Sequence, residues 1–189
     1  MYIILFLIHT NNGDSMKKLL ILLIPFLCVA CSTLDNNPIS QTEQYLKTYQ
    51  VLDEKIIKKL DENMLDTYND TQKEEYKKVM KEQYKSLTYK IKDEYIDGDK
   101  ATVTVAITVL DYYKVIDEAN KYFVDHKDEF YDGFNYDTKL NDYKLSKLKE
   151  AKDKIIYTIE ITLTKIDNKW VVDDISDETY NKINGLFEY

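Results

Sequence analysis

The sequence predicts an α+β domain: an antiparallel curved sheet of about four strands packed on helices, in the order α-α-β-β-α-α-β-β-α. Three observations predict it. Between residues 41 and 84 apolar side chains recur every three or four positions, the period of a helix face. At 87–110, and again at 155–172, the period drops to two. Each of those stretches is divided by turn residues, Asp97-Gly98-Asp99-Lys100 in the first and Asp167-Asn168-Lys169 in the second. Two hairpins separated by helices argue a sheet covered on one face.

Ser40-Gln41-Thr42-Glu43 reads as a capping box, with Ser40 as N-cap and Glu43 at N3. It opens a helix over roughly 41–61, whose apolar stripe is Tyr45, Tyr49, Leu52, Ile56 and Leu60. Thr71-Gln72-Lys73-Glu74 reads as a second box, opening a helix with Tyr76, Val79, Met80 and Tyr84 inward. Leu87, Tyr89 and Ile91 then alternate with Thr88, Lys90 and Lys92 as a first strand. In its partner, Ala101–Leu110, Val103, Val105, Ile107 and Val109 share one face while Thr102, Thr104 and Thr108 share the other. That pattern suits a half-solvated, β-branched strand. Asp111 to Tyr131 returns to helix, with Val115, Ile116, Ala119, Phe123 and Phe130 inward. Leu140, Tyr143, Leu148 and Ala151 mark another, and the charge-dense stretch 111–153 reads as a solvated helical face. Ile155, Tyr157, Ile159, Ile161 and Leu163 form the third strand, and Trp170-Val171-Val172 the closing one. Ser176 caps a last helix that Gly185 ends.

The first thirty residues follow other rules. Lys17-Lys18 is a positive n-region, Leu19–Leu27 a short apolar run, and Cys28-Val29-Ala30-Cys31 a small-residue processing point. Those parts make a signal peptide over 1–30. The apolar run falls short of the ~20 residues that span a bilayer. Residues 1–15 read as an over-extended start, with Met16 the true first residue; the other reading is a long n-region. Val29-Ala30-Cys31 resembles a bacterial lipobox, although Cys28 stands where Leu is usual and Leu27 sits one place earlier. The resemblance implies a diacylglyceryl group on the Cys31 sulfur, and so a lipid anchor in the cell membrane or outer membrane, on the exported side. A plain secretory signal would instead leave Cys31 as a free thiol. Residues 31–39 then form the acylated cysteine and a short tether, and 40–189 a single domain.

Charge narrows the partners. The chain has 34 acidic and 26 basic residues, every basic one Lys, for a net charge of −8. Nucleic acid and anionic lipid headgroups call for basic patches, so neither is expected as a partner. One domain's worth of chain is too short for a two-lobed transporter substrate-binding protein. The expected partners are the membrane, through the anchor, and a protein or small-molecule ligand that the sequence does not name.

The later Thr/Ile strand followed by Lys165-Ile166-Asp167-Asn168-Lys169-Trp170-Val171-Val172-Asp173 resembles the end of small bacterial lipoproteins with an NTF2-like (cystatin-like) domain. The resemblance covers residues 41–176. It implies a curved sheet wrapped around N-terminal helices, and departs in showing four strands and an extra charged helical stretch, 111–153. The superfamily hosts binding modules and a few enzymes, so it does not fix a function.

No catalytic or metal constellation emerges, and no cofactor is expected. His126, in Asp125-His126-Lys127, is the one histidine past the leader, so a zinc site, a Cys–His dyad or a Ser-His-Asp triad lacks parts. Asp97-Gly98-Asp99 lacks a calcium loop's ligand ladder, and in Asp128–Lys139 Phe130 and Lys139 occupy ligand positions. The enzyme alternative would use Glu160 or Asp111 as a buried general base in the sheet's cup. The expectation is a binding module, not an enzyme. Tyr112-Tyr113 and Phe187-Glu188-Tyr189 are left as aromatic clusters with no core period.

Overall fold

A computed structural model of the chain describes residues 36–189. Helices α1 (Pro38–Gln50), α2 (Glu54–Glu62) and α3 (Asp70–Ser86) lead into strands β1 (Thr88–Asp97) and β2 (Lys100–Leu110). Helix α4 (Tyr112–Asp125), a single 3-10 turn (Lys127–Phe130) and helix α5 (Asp137–Glu150) follow. Strands β3 (Lys154–Ile166) and β4 (Lys169–Val172) and helix α6 (Asp177–Asn184) complete the fold. This is the predicted α+β order, with the first predicted helix divided in two.

The division lies at Leu52, whose φ of 57° is left-handed. Such a conformation costs a leucine about 1–2 kcal/mol. Two features offset it. Asp53 Oδ1 accepts the Lys55 N–H at 2.9 Å and so starts α2 afresh, and Leu52 packs against the core. Both predicted capping boxes shift as well. Asn37, not Ser40, caps α1, because Pro38 follows it with φ preset and no N–H to satisfy. Asn37 Oδ1 accepts the Ser40 N–H at 2.8 Å. Asn69 caps α3 in a reciprocal box with Gln72, two residues ahead of the predicted one.

Residues 36–39, read from the sequence as the end of a tether, belong to the domain. Asn36 Nδ2 donates to the Asn168 carbonyl at 2.6 Å, and the Trp170 N–H donates to Asn36 Oδ1 at 2.9 Å. The chain is thus fastened to the β3–β4 turn before its first helix begins.

The four strands form an antiparallel meander in the order β1-β2-β3-β4. β2 and β3 pair without interruption, from Leu110 opposite Lys154 to Lys100 opposite Thr164. The predicted two-period holds: Val103, Val105, Ile107, Val109, Ile159, Ile161 and Leu163 are buried under the helices. Their neighbours Thr102, Thr104 and Thr108 are half-buried on the outer face. β1 departs from strict alternation at Lys92, a bulge between Ile91 and Asp93. The extra residue turns Glu94 toward the inner face, opposite Val103, and sends Tyr95 outward. β4 pairs only with Leu163–Ile166, and Lys182 Nζ caps the Thr158 carbonyl on the stretch of β3 beyond it. A lysine on an unpaired edge discourages another strand from adding there.

Gln83 ties three elements together. It is fully buried on α3; its Nε2 donates to the carbonyls of Leu110 and Asn184, each at 2.9 Å. Its Oε1 accepts the Leu110 N–H at 2.8 Å. The end of β2 and the end of α6 are therefore fixed to α3 by one amide. The aromatic clusters that the sequence leaves unassigned meet each other at this end. Tyr113 packs on Tyr189 with ring centroids 5.5 Å apart, and Tyr157 on Phe187 at 5.9 Å. Tyr112 is core, its hydroxyl donating to the Val79 carbonyl.

Between α3 and α5, Lys149 and Lys78 hold the Glu75 carboxylate, at 2.5 and 2.8 Å. The Lys149 hydrogen bond, followed by that of Lys78, lowers the Glu75 pKa to about 2. A depressed carboxylate stabilises the fold above its unfolded pKa of ~4.3 and loses that contribution as pH falls toward 2. Glu75→Gln is therefore expected to lower Tm at pH 7 and to lower it much less at pH 2. Melting curves at the two pH values check this, and an equal gap at both would contradict it.

Candidate functional site

The predicted signal peptide, Cys31 and residues 31–35 of the tether lie outside the described residues. The other sequence candidates do not converge. Glu160 is exposed on the outer face of the sheet, opposite Thr104. Asp111 is buried but occupied: it caps α4, accepting the Lys114 N–H at 3.1 Å and the Tyr189 hydroxyl at 2.7 Å. Asp111 follows Leu110, which stands opposite Lys154. Asp111 thus lies seven residues of strand from the level of Glu160, about 23 Å. His126 is exposed at the end of α4, its ring stacked on Tyr122 at 3.9 Å. The inner face of the sheet is filled by the helical layer rather than left as a cup.

The opening in the fold lies instead within the helical layer. A cavity of about 280 Å³ is lined from α2, α3, α4, α5 and α6. Leu60, Ile116, Leu148 and Leu186 make its apolar wall. These residues come from helix faces too far apart in sequence to form a motif. Tyr68 and Tyr76 line it too, their rings edge-to-face with centroids 5.6 Å apart. Burial raises the pKa of both phenols, so both remain O–H donors. Neither hydroxyl hydrogen-bonds to protein among the described residues.

Further polar groups line it, among them Asn141, Asn184 and Lys144. Asn141 Nδ2 donates to the Thr67 carbonyl at 3.2 Å, which leaves its Oδ1 as an acceptor. Asn184 Oδ1 accepts the Tyr84 hydroxyl at 2.9 Å, which leaves its NH2 as a donor. Lys144, half-buried on α5, is the single charged residue in the lining. Burial lowers its pKa, with Asp137 acting in the opposite direction. It makes no ion pair among the described residues. The sequence places Lys144 in a solvated charged face; the structure corrects this, turning the residue toward α3 and α6.

A larger cleft between α4 and α5 contrasts with this cavity. It is lined by Lys114, Glu118, Lys147, Glu150 and Asp153. Lys114 pairs with Asp153 at 2.7 Å and Lys147 with Glu150 at 3.5 Å. Two of its lysines thus have carboxylate partners, whereas Lys144 in the helix-lined cavity has none among the described residues.

No family model matches the chain, and no curated protein matches it. Among solved structures, it is similar to a Bacillus subtilis protein, ycdA, described as a lipoprotein. The identity is 13% and the TM-score 0.42, over 78% of this chain and 47% of the other. The chain thus spans about half the length of that protein. A likeness of this size carries no argument about site or chemistry.

Proposed function

We propose that the chain is a lipoprotein of the cell envelope, anchored on the exported side through Cys31, that acts by binding rather than catalysis. Its ligand site is the cavity between the helices. The observation that carries the binding reading is a partly buried, largely apolar cavity whose donors at Tyr68, Tyr76 and Lys144 make no hydrogen bond or ion pair to protein among the described residues, while Glu160 is solvated and Asp111 is engaged in a cap. The enzyme alternative raised by the sequence would need a poised Asp or Glu beside a reaction space. Asp111 is saturated by Lys114 and Tyr189, and Glu160 faces solvent. Support for the NTF2-like assignment is the antiparallel sheet packed on N-terminal helices and the turn leading into Trp170. The anchor rests on Val29-Ala30-Cys31 behind the apolar run.

Fractionation tests the anchor. Cys31→Ala should move the protein out of the membrane fraction and abolish labelling by a fatty-acid analogue; unchanged membrane retention would sink the assignment. Catalysis is tested beside it, by screening esterase, glycosidase, phosphatase and isomerase substrates. A turnover lost on Asp111→Asn or Glu160→Gln would replace the binding reading with an enzymatic one.

A further inference from the structure

The helix-lined cavity is selective in what it offers. Its walls are apolar and aromatic; its polar groups include the Lys144 ammonium, the Tyr68 and Tyr76 hydroxyls and the Asn184 amide NH2 as donors, beside the Asn63 and Asn141 amide oxygens as acceptors. Among the described residues no Asp or Glu lines it, Asp137 acting on Lys144 from outside the lining. A cation would meet no counter-charge there. A neutral apolar molecule would leave Lys144 half-buried and unpaired, which is costly. A phosphate monoester, carrying nearly two charges, would face one lysine and no Arg, the residue suited to bidentate grip. At about 280 Å³ the volume lies just below the usual range of ligand pockets, ~300–1,000 Å³, which suits a small ligand.

We infer that this cavity binds a small amphipathic carboxylate, aliphatic or aromatic, whose acid group pairs with Lys144 and accepts from the surrounding hydroxyl and amide donors, while its apolar body lies against Leu60, Ile116 and Leu148. The inference rests on the binding reading above and adds the ligand's chemical class. Three arrangements agree with it. Tyr84 holds the Asn184 side chain by its oxygen, which presents the NH2 end. Tyr68 and Tyr76 pack edge-on, and their hydroxyls are left without protein acceptors. Lys144 is lowered in pKa by burial with no ion pair to restore it, and a ligand carboxylate would supply that charge.

The test uses the full chain, methyl-labelled, in lipid nanodiscs, with empty nanodiscs as the blank. Octanoate, 4-phenylbutyrate, 1-octanol and octylamine are titrated in turn, and the methyl shifts of Leu60, Ile116 and Leu148 report occupancy of the cavity. Octanoate or 4-phenylbutyrate should bind at least tenfold tighter than octanol, and octylamine weakest. In Lys144→Met the acid and the alcohol should become equal, with the shifts of Leu60 unchanged in the free protein as a check on folding. Whichever of the two acids binds tighter distinguishes an aliphatic from an aromatic body. If octanol or octylamine binds as tightly as the acids, or if Lys144→Met leaves the preference intact, the carboxylate inference fails while the binding reading stands. If none of the four moves these methyls, both fail.

Discussion

Gly185→Ala is expected to destabilise the domain by roughly 4 kcal/mol, from left-handed strain and lost hydrogen bonds together. Gly185 ends α6 with φ of 70°. An alanine in that conformation costs about 1–2 kcal/mol. The added methyl also has no room, because it would collide with the Leu110 carbonyl oxygen and with Gln83 Nε2. Those atoms are the acceptor and donor of one of the hydrogen bonds by which Gln83 joins α3, β2 and α6, so relieving the collision breaks bonds worth about 0.5–1.5 kcal/mol each. Urea denaturation should show a lower midpoint with an unchanged slope. The coupling is specific: Gly185→Ala combined with Gln83→Ala should cost less than the two single changes added together, because each removes the other's penalty. A loss below about 1 kcal/mol for Gly185→Ala alone would mean that the end of α6 is free to move, contrary to this packing.

Trp170→Ala is expected to cost about 3–5 kcal/mol, the usual range for emptying a large aromatic site in a core. The ring is 7% exposed and belongs to the main apolar cluster. Lys165 Nζ lies over its face, 5.6 Å from the ring centroid. The same residue's N–H holds Asn36, so loss of the ring should also loosen the entry to α1. A domain of this kind has about 5–15 kcal/mol in hand, and the variant should be near its limit at 37 °C. Trp170 is the one tryptophan, so the native protein reports on itself. Its emission should be blue-shifted and should move red on unfolding. Native emission like that of indole in water would contradict the buried placement.

The two hairpins are legible in the sequence because alternation and turn residues are local signals. Val103 to Val109 and Ile155 to Leu163 declare their faces by spacing alone, and Gly185 announces the end of α6. The boundaries of the helices are less legible. Ser40 and Asn37 are both good caps, and the choice falls to Asn37 because Pro38 is next to it; Asn69 competes with Thr71 in the same way. Leu52 fits the apolar stripe of an unbroken helix, and nothing in its spacing tells that Asp53 starts a new one. The bulge at Lys92 depends on pairing with β2, which no local pattern encodes. The candidate site is the least legible feature. Tyr76 and Leu60 are correctly read as inward-facing, but inward does not distinguish a packed wall from the wall of a cavity. Lys144 sits among charged neighbours that do face solvent. Only the meeting of α2, α3, α5 and α6 sets it apart.

The grip of Asn36 on the turn at Asn168 and on Trp170 has a mechanical meaning on the lipid-anchored reading. The slack between lipid and folded protein runs only from residue 31 to residue 36, a leash of at most about 18 Å when fully drawn out. A pull on the lipid arrives first at a pair of hydrogen bonds beside β4, the shortest strand of the sheet. Drag along the bilayer would therefore load β4 and α1 together, and the far end of the molecule would feel little of it. On that reading the domain would pivot beside its bilayer without moving far from it.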